Sequence, residues 1–211
     1  MQQSNSRRPR RSAAETRSIV LDAAVSWIEE SGSSSLKVSD IARSSGVSAV
    51  VIYRYFSDRQ GLLTAALVEL WERYMVHPIA DMRQIVADLP NEAFTPELLA
   101  NLAVQPNSER AKKRRWAGLQ VLAASPENPE LSAMIRASQS RSNDEHESLI
   151  ELIRLKMPGT HLTSPRMMRM LNNSVIFGFV EEDLVDDPIS NEEFRDFLIM
   201  FYHRTLEPLV D

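Results

Sequence analysis

The side chains of this sequence with chemical potential are cations set among aromatics, not nucleophiles or metal ligands. Arg54 lies between Tyr53 and Tyr55, Lys37 and Arg59 flank that stretch, and Arg7, Arg8, Arg10 and Arg11 crowd the beginning. A guanidinium offers paired donors that match phosphate oxygens or the O6/N7 edge of guanine, and a phenol donates to phosphate. The remaining chemistry-bearing residues do not converge. The four histidines, His77, His146, His161 and His203, are scattered without metal-ligand spacing. Asp144, Glu145, His146 and Glu147 are consecutive, so on a helix they point in different directions; a solvated face is the reading of this run. There is no cysteine, which excludes disulfides, thiolate metal sites and cysteine nucleophiles. No glycine-rich phosphate loop or nucleophile elbow is present. Neither an enzyme nor a metal or cofactor is expected.

With 211 residues, 43% hydrophobic and 25% charged, the chain has the composition of a globular protein of one domain or two small ones. Its net charge of −5 argues, taken alone, against a nucleic-acid partner. Divided along the chain, the charge says the opposite. Residues 1–64 hold nine Lys/Arg against six Asp/Glu, whereas residues 65–211 hold 15 against 23. A basic head on an acidic body is a hint of nucleic-acid binding. No apolar stretch approaches membrane-spanning length, so no membrane partner is expected. The early arginines have no apolar stretch behind them, and a cytoplasmic protein is expected.

Helical signals must position the cations. Val20, Ala23, Ala24, Trp27 and Ile28 follow the spacing of one buried helix face, which Gly32 closes before a Ser33–Ser35 connector. Ser57-x-x-Gln60 predicts a capped long helix through Leu62, Leu63, Ala66, Leu67, Leu70 and Tyr74. Pro78 predicts a kink or break near Val76–His77. Later helix starts are predicted at Thr95-Pro96, Asn128-Pro129 and Ser164-Pro165, with a capping box at Ser190-x-x-Glu193. No alternating β-branched run competes, so the fold class is all-α.

Between Leu36 and Gln60 the residues fit two short helices joined by a tight turn. Ala42 is small where the helices cross, and Gly46 can take the left-handed conformation of the turn. Ile41, Val47 and Ile52 supply buried contacts, and Ser48 caps the second helix. This is a helix-turn-helix with Ser48–Phe56 as recognition helix. The progression Ile41-Ala42, Gly46-Val47-Ser48, Ile52-Tyr53, Tyr55-Phe56 and Leu62-Leu63 resembles the DNA-binding head of the TetR family of transcriptional regulators. The motifs cover roughly residues 15–64; beyond them, length and helicity match. Two positions depart from the family pattern: Arg59 replaces the usual lysine, and Lys37 stands where a Ser/Thr helix cap is common.

The expected organisation is a basic arm at 1–12, an N-terminal three-helix DNA-binding head at 13–64, and a larger helical body for ligand binding and dimerisation at 65–211. The candidate DNA contacts are Arg10, Arg11, Lys37, Val38, Ser39, Ser48, Ala49, Val50, Val51, Tyr53, Arg54, Tyr55 and Arg59. Arg54 is the candidate for a guanine edge, and Ala49, Val50 and Val51 for thymine methyls. Val51, Ile52 and Tyr55 have core packing as the competing role. Charge and Pro9 favour a disordered arm, which either lies along phosphates or in a minor groove or is a solvated tail with no specific site. The second basic run, Arg110–Arg115, reads as a solvated face, with contact to the acidic body or the head as the alternative.

Two body helices are apolar on two sides and so require two partners. In the Ser164 helix one stripe is Met168, Leu171, Val175, Gly178 and Phe179, and the other is Met167, Met170, Ser174 and Phe177. In the last helix Phe194, Phe197, Leu198 and Phe201 lie beside Ile199, Tyr202 and Leu206. A homodimer interface is expected at Met168, Leu171, Val175, Gly178, Phe179, Phe197 and Phe201, and the family resemblance implies the same pairing of the last two helices. A dimer would present two heads to double-stranded DNA carrying a palindromic operator. The resemblance also implies a small-molecule effector, for which Trp71, Tyr74, Met75, Trp116, Met134 and Phe177 are the candidate lining, with Pro78 as a place for ligand-driven bending. The expected function is a repressor released from its operator by that ligand. The alternative is a helical ligand- or protein-binding sensor whose DNA binding is weak or lost.

Overall fold

The computed structural model describes residues 11–103, 105–157 and 164–206, which form helices and turns with no strand among them. The residues divide into two compact units at Glu69/Leu70.

The first unit is the head. Helix α1 (Ala13–Ser31) opens on a reciprocal capping box in which Ser12 Oγ accepts from the Glu15 N–H and the Glu15 carboxylate accepts from the Ser12 N–H. It closes at Gly32, whose φ of 79° is open to glycine. Val20, Ala24 and Ile28 are fully buried as the periodicity requires, whereas Ala23 and Trp27 sit at the edge of that face. Trp27 Nε1 donates to Ser35 Oγ at 2.9 Å, which ties the connector back to the helix. Helices α2 (Val38–Ser45) and α3 (Ala49–Phe56) pack on α1 and on each other. Ile41 and Ile52 are each fully buried, and removal of such side chains from water is worth about 1.5–3 kcal/mol apiece. Gly46 terminates α2 in the left-handed conformation, with φ 66°, and Ser48 Oγ accepts from the Val51 N–H to start α3.

The next helix, α4 (Arg59–Trp71), begins differently from the expected Ser57 capping box. Ser57 is the C-cap of α3 with φ 66°, so the backbone has turned before a Ser57 cap can form. Asp58 takes the role instead: its Oδ1 accepts from the Gly61 N–H at 2.7 Å and its carbonyl from the Leu62 N–H. The turn is so tight that a Cβ on Gly61 would collide with the Phe56 carbonyl oxygen. Gly61→Ala is therefore expected to lower head stability by about 1–3 kcal/mol through backbone displacement, measured as a drop in thermal midpoint. An unchanged midpoint would show that the turn yields freely.

In the second unit α4 ends in a wide π turn, Glu72–Val76, before α5 (His77–Asp88). Pro78 lacks an N–H, and in a continuous α-helix its ring would clash with the Tyr74 carbonyl. The wider turn places Pro78 in the first turn of α5, where neither fault matters. Helix α6 (Pro96–Leu102) packs on α10 (Asn191–Leu206), α5 on α8 (Pro129–Lys156), and both α7 (Glu109–Ala124) and α8 on α9 (Pro165–Glu182). Thr95 and Asn128 cap α6 and α8 ahead of their prolines, and Ser190 and Glu193 form the expected box; Ser164 precedes α9 without a side-chain bond. One core cluster joins Ile79 and Val86 of α5 with Phe94, Leu99 and Leu149.

Candidate functional site

The helix-turn-helix presents one open concave surface. Arg11, Ala13 and Thr16 at the start of α1 line it together with Gly46, Val47, Ser48, Val51, Arg54 and Tyr55. Five of the expected DNA contacts thus come together: Arg11, Ser48, Val51, Arg54 and Tyr55. Their polar tips and guanidinium groups can donate to phosphate or base oxygens, while Val51 adds an apolar contact. Val50 stands beside them 79% exposed. Ala49 and Tyr55 are half-buried, and Tyr53 and Ser39 are exposed. The Arg54 guanidinium lies 5.4 Å from the centre of the Tyr55 ring.

Two expected contacts are used otherwise. Val38 is buried in the head's own core, because the first residue of α2 turns inward beneath α1. Arg59 donates from Nε to the Leu36 carbonyl at 2.7 Å and from its terminal nitrogen to the Ser34 carbonyl, so it fastens the segment ahead of α2. Its neighbour in that segment, Lys37, is the N-cap of α2 without a side-chain bond and stays exposed. Arg10 and the rest of the expected arm before Arg11 lie outside the described residues. Sequence does not single out Ala13 and Thr16, and it assigns Val47 only a buried contact; packing of α1 against the turn brings the three to this face.

In the body two of the expected ligand-lining residues come together. Met75 and Phe177 meet over Gly118, where an added Cβ would lie 3.6 Å from Met75 Sδ and 3.2 Å from Phe177 Cε1. Trp71 is buried, whereas Met134 is 42% exposed. Trp116 is also 42% exposed and donates from Nε1 to Asp183 at 3.1 Å.

The basic run of α7 corrects the solvated-face reading. Arg115 is 1% exposed; it donates through Nε and Nη2 to the Asp183 carboxylate, donates to the Pro106 carbonyl at 2.6 Å, and lies over the Phe179 ring. A helix turn does spread the run, and one of its directions is inward. The same geometry corrects the acidic run of α8. Asp144 and Glu145 are exposed, but His146 is buried, with Nε2 3.3 Å from the Asn172 amide. Burial first, then the charges of Arg114 and Arg169, outweigh Glu147 and hold its pKa down at about 4.

An unfolded histidine titrates near 6.5. Between that pH and about 4 the unfolded chain takes up a proton that the fold refuses, so acidification removes stability. The loss from this residue is expected to be about 2 kcal/mol between pH 7.5 and pH 5. Chemical denaturation of His146→Gln at both pH values should show that much less acid sensitivity than the parent. Identical pH slopes would contradict the assignment.

The exposed apolar face of α9 combines the two expected stripes. Met167, Met170 and Leu171 are at least 40% exposed, and Ser174 and Gly178 continue that line. On α10, Phe197 and Met200 are 51% and 58% exposed. Met168 and Phe179, expected at a dimer interface, are buried in the protomer's own core, while Val175 and Phe201 are half-buried. The stripes were mixed because residues one position apart on a helix differ by about 100° in direction. Among the described residues no helix is long and apolar enough to cross a membrane.

A concave helix-turn-helix surface lies on a three-helix head, and a separate helical unit follows it in the chain. Residues 20–66 match the family model of bacterial regulatory proteins, tetR family. That match lies within the head and the first turns of α4, so the likeness to the TetR family rests on these residues. The chain is 29% identical over 122 residues to the HTH-type transcriptional regulator BetI of Cronobacter sakazakii, a match that takes in 58% of this chain and 59% of that relative's length. Across most of the chain the fold is similar to that of a transcriptional regulator of Saccharomonospora viridis crystallised with choline (TM-score 0.66, 18% identity, 92% of this chain and 98% of that one). It is equally similar to a TetR transcription regulator of Haloarcula marismortui (TM-score 0.66, 20% identity, 92% and 100%).

Proposed function

We propose that this protein is a homodimeric, sequence-specific DNA-binding regulator of transcription, a repressor whose body takes up a small effector and thereby weakens the hold of the heads on an operator. The observation that carries the reading is the concave head surface, which gathers Arg11, Ser48, Val51, Arg54 and Tyr55 on one side of the recognition helix. The exposed stripe of α9, with Phe197 and Met200 of α10, is the face offered to a second copy; Gly178 in that stripe permits close helix approach. A dimer would double both the basic head and the acidic body, so that phosphate is attracted to the heads and repelled elsewhere. Effector control is a population shift: DNA and effector each favour a different arrangement, and the two bindings are reciprocally coupled. The π turn ahead of Pro78 is the proposed place of bending.

Selection of the full chain on randomised duplexes tests this directly. An inverted repeat with half-sites about one helical turn or a multiple apart is the expected product, and sedimentation should give a dimer at micromolar concentration. Recovery of unrelated sequences would instead favour a helical sensor that has lost specific DNA binding.

A further inference from the structure

The stripe of α1 that reaches the concave surface of the head carries one more cation. Ala13 and Thr16 line that surface, and Arg17, at i+4 from Ala13 and next to Thr16, belongs to the same helix face. One turn further along the stripe Val20 and Leu21 are buried. Arg17 therefore stands at the rim, between the concavity and the core. It is exposed, and its guanidinium lies over the Phe56 ring, 5.5 Å from the centre, at the end of the recognition helix. Phe56 is itself only 5% exposed, which makes it a fixed platform. A guanidinium set over an aromatic face is held there by its charge, and its N–H groups stay free to donate. No carboxylate takes them: among the described residues no ion pair or hydrogen bond engages Arg17. Glu15, the acid nearest in sequence, points about 200° away around the helix and accepts from the Ser12 N–H at 2.7 Å. Helix α3 carries no acidic residue.

We propose that Arg17 is a phosphate contact of the head, gripping the DNA backbone beside the groove that α3 enters. The assignment rests on the reading that the head binds duplex DNA, and it adds a residue that fixes the protein's position on the duplex. In a helix-turn-helix the recognition helix reads base edges while flanking elements meet the backbone, so a donor on α1 faces the phosphates at the edge of the groove. A guanidinium matches two phosphate oxygens at once. Arg11 and Arg54 line the concave surface itself, and Arg17 adds a third guanidinium at its rim. Contacts of this kind set register and carry the salt dependence of binding, whereas base contacts set sequence.

Fluorescence anisotropy of the full-length protein on the selected inverted repeat and on a scrambled duplex, each from low to high salt, tests the contact. Arg17→Gln is expected to weaken both duplexes by the same factor, about tenfold per head at low salt, a margin typical of one charge-assisted contact. It should also flatten the slope of log affinity against log salt by about 1 per head. Arg17→Lys, which keeps the charge, should keep most of the slope. Arg136→Gln removes an exposed charge from the body and so controls for net charge; it should leave the slope as it is. The thermal midpoint reads the competing role, in which Arg17 only braces Phe56. A lowered midpoint with an unchanged slope would overturn the proposal. So would a loss confined to the inverted repeat, or a slope that Arg136→Gln flattens equally. Failure of the contact and failure of the regulator are separable. Specific binding by the parent with no change of slope in Arg17→Gln refutes the contact and leaves the regulator intact. Equal affinity of the parent for both duplexes, with a slope that Arg17→Gln still flattens, upholds the contact and refutes sequence-specific binding.

Discussion

Replacing Arg115 with methionine is expected to lower the unfolding free energy of the body by about 3–5 kcal/mol, the range seen when one partner of a buried ion pair is removed. The guanidinium and the Asp183 carboxylate have side-chain exposures of 2% and 5%, so neither can fall back on water. In the variant Asp183 keeps only the Trp116 indole donor at 3.1 Å, and the Pro106 carbonyl loses its bond from Arg115. The pair itself contributes far less than this loss, because desolvation of both charges offsets most of their attraction. The double variant Arg115→Met/Asp183→Leu should therefore recover much of the stability. Chemical denaturation at fixed protein concentration measures all three states. A single-variant loss below about 1 kcal/mol would place the pair among the weak surface bridges and contradict the burial argument.

Arg54→Ala is expected to reduce operator affinity by about 1–3 kcal/mol at each half-site and to relax preference at the guanine it reads, with no change in thermal stability. Arg54 is exposed on the concave face and supported by the Tyr55 ring, but its guanidinium is not fastened to the backbone. Arg59→Ala supplies the contrast. Its guanidinium already bonds the Leu36 and Ser34 carbonyls, so its loss should lower head stability and weaken all duplexes alike. Competition binding with operators altered one base pair at a time distinguishes the two. A uniform loss for Arg54→Ala would make it a phosphate contact and leave specificity to Val50, Val51 and the shape of the duplex.

Local signals carried most of the fold. Caps such as Thr95 and Asn128, the glycine that ends α2 and the proline that widens the turn before α5 each act through backbone geometry within a few residues, which sequence spacing shows directly. The recognition helix was legible for the same reason. What escaped was decided by packing between elements distant in sequence. Nothing local tells that Arg115 will find Asp183 some 68 positions later, or that His146 faces inward while Asp144 and Glu145 face out. Val38 and Arg59 were legible as parts of the head, but their division between core, backbone support and exposed surface depends on where α1 lies. The two stripes of α9 failed by a single step of helical phase, enough to exchange buried Met168 for exposed Met167.

We propose that a basic head confers specific DNA binding on a chain whose net charge is acidic. Fluorescence anisotropy of the full-length protein on its selected inverted repeat and on a scrambled duplex, each across a salt series, tests it most directly. The repeat should be bound at least about a thousandfold more tightly than the scrambled duplex, with affinity for both falling as salt rises. Equal affinity for the two duplexes, or binding to neither at low salt, would contradict it.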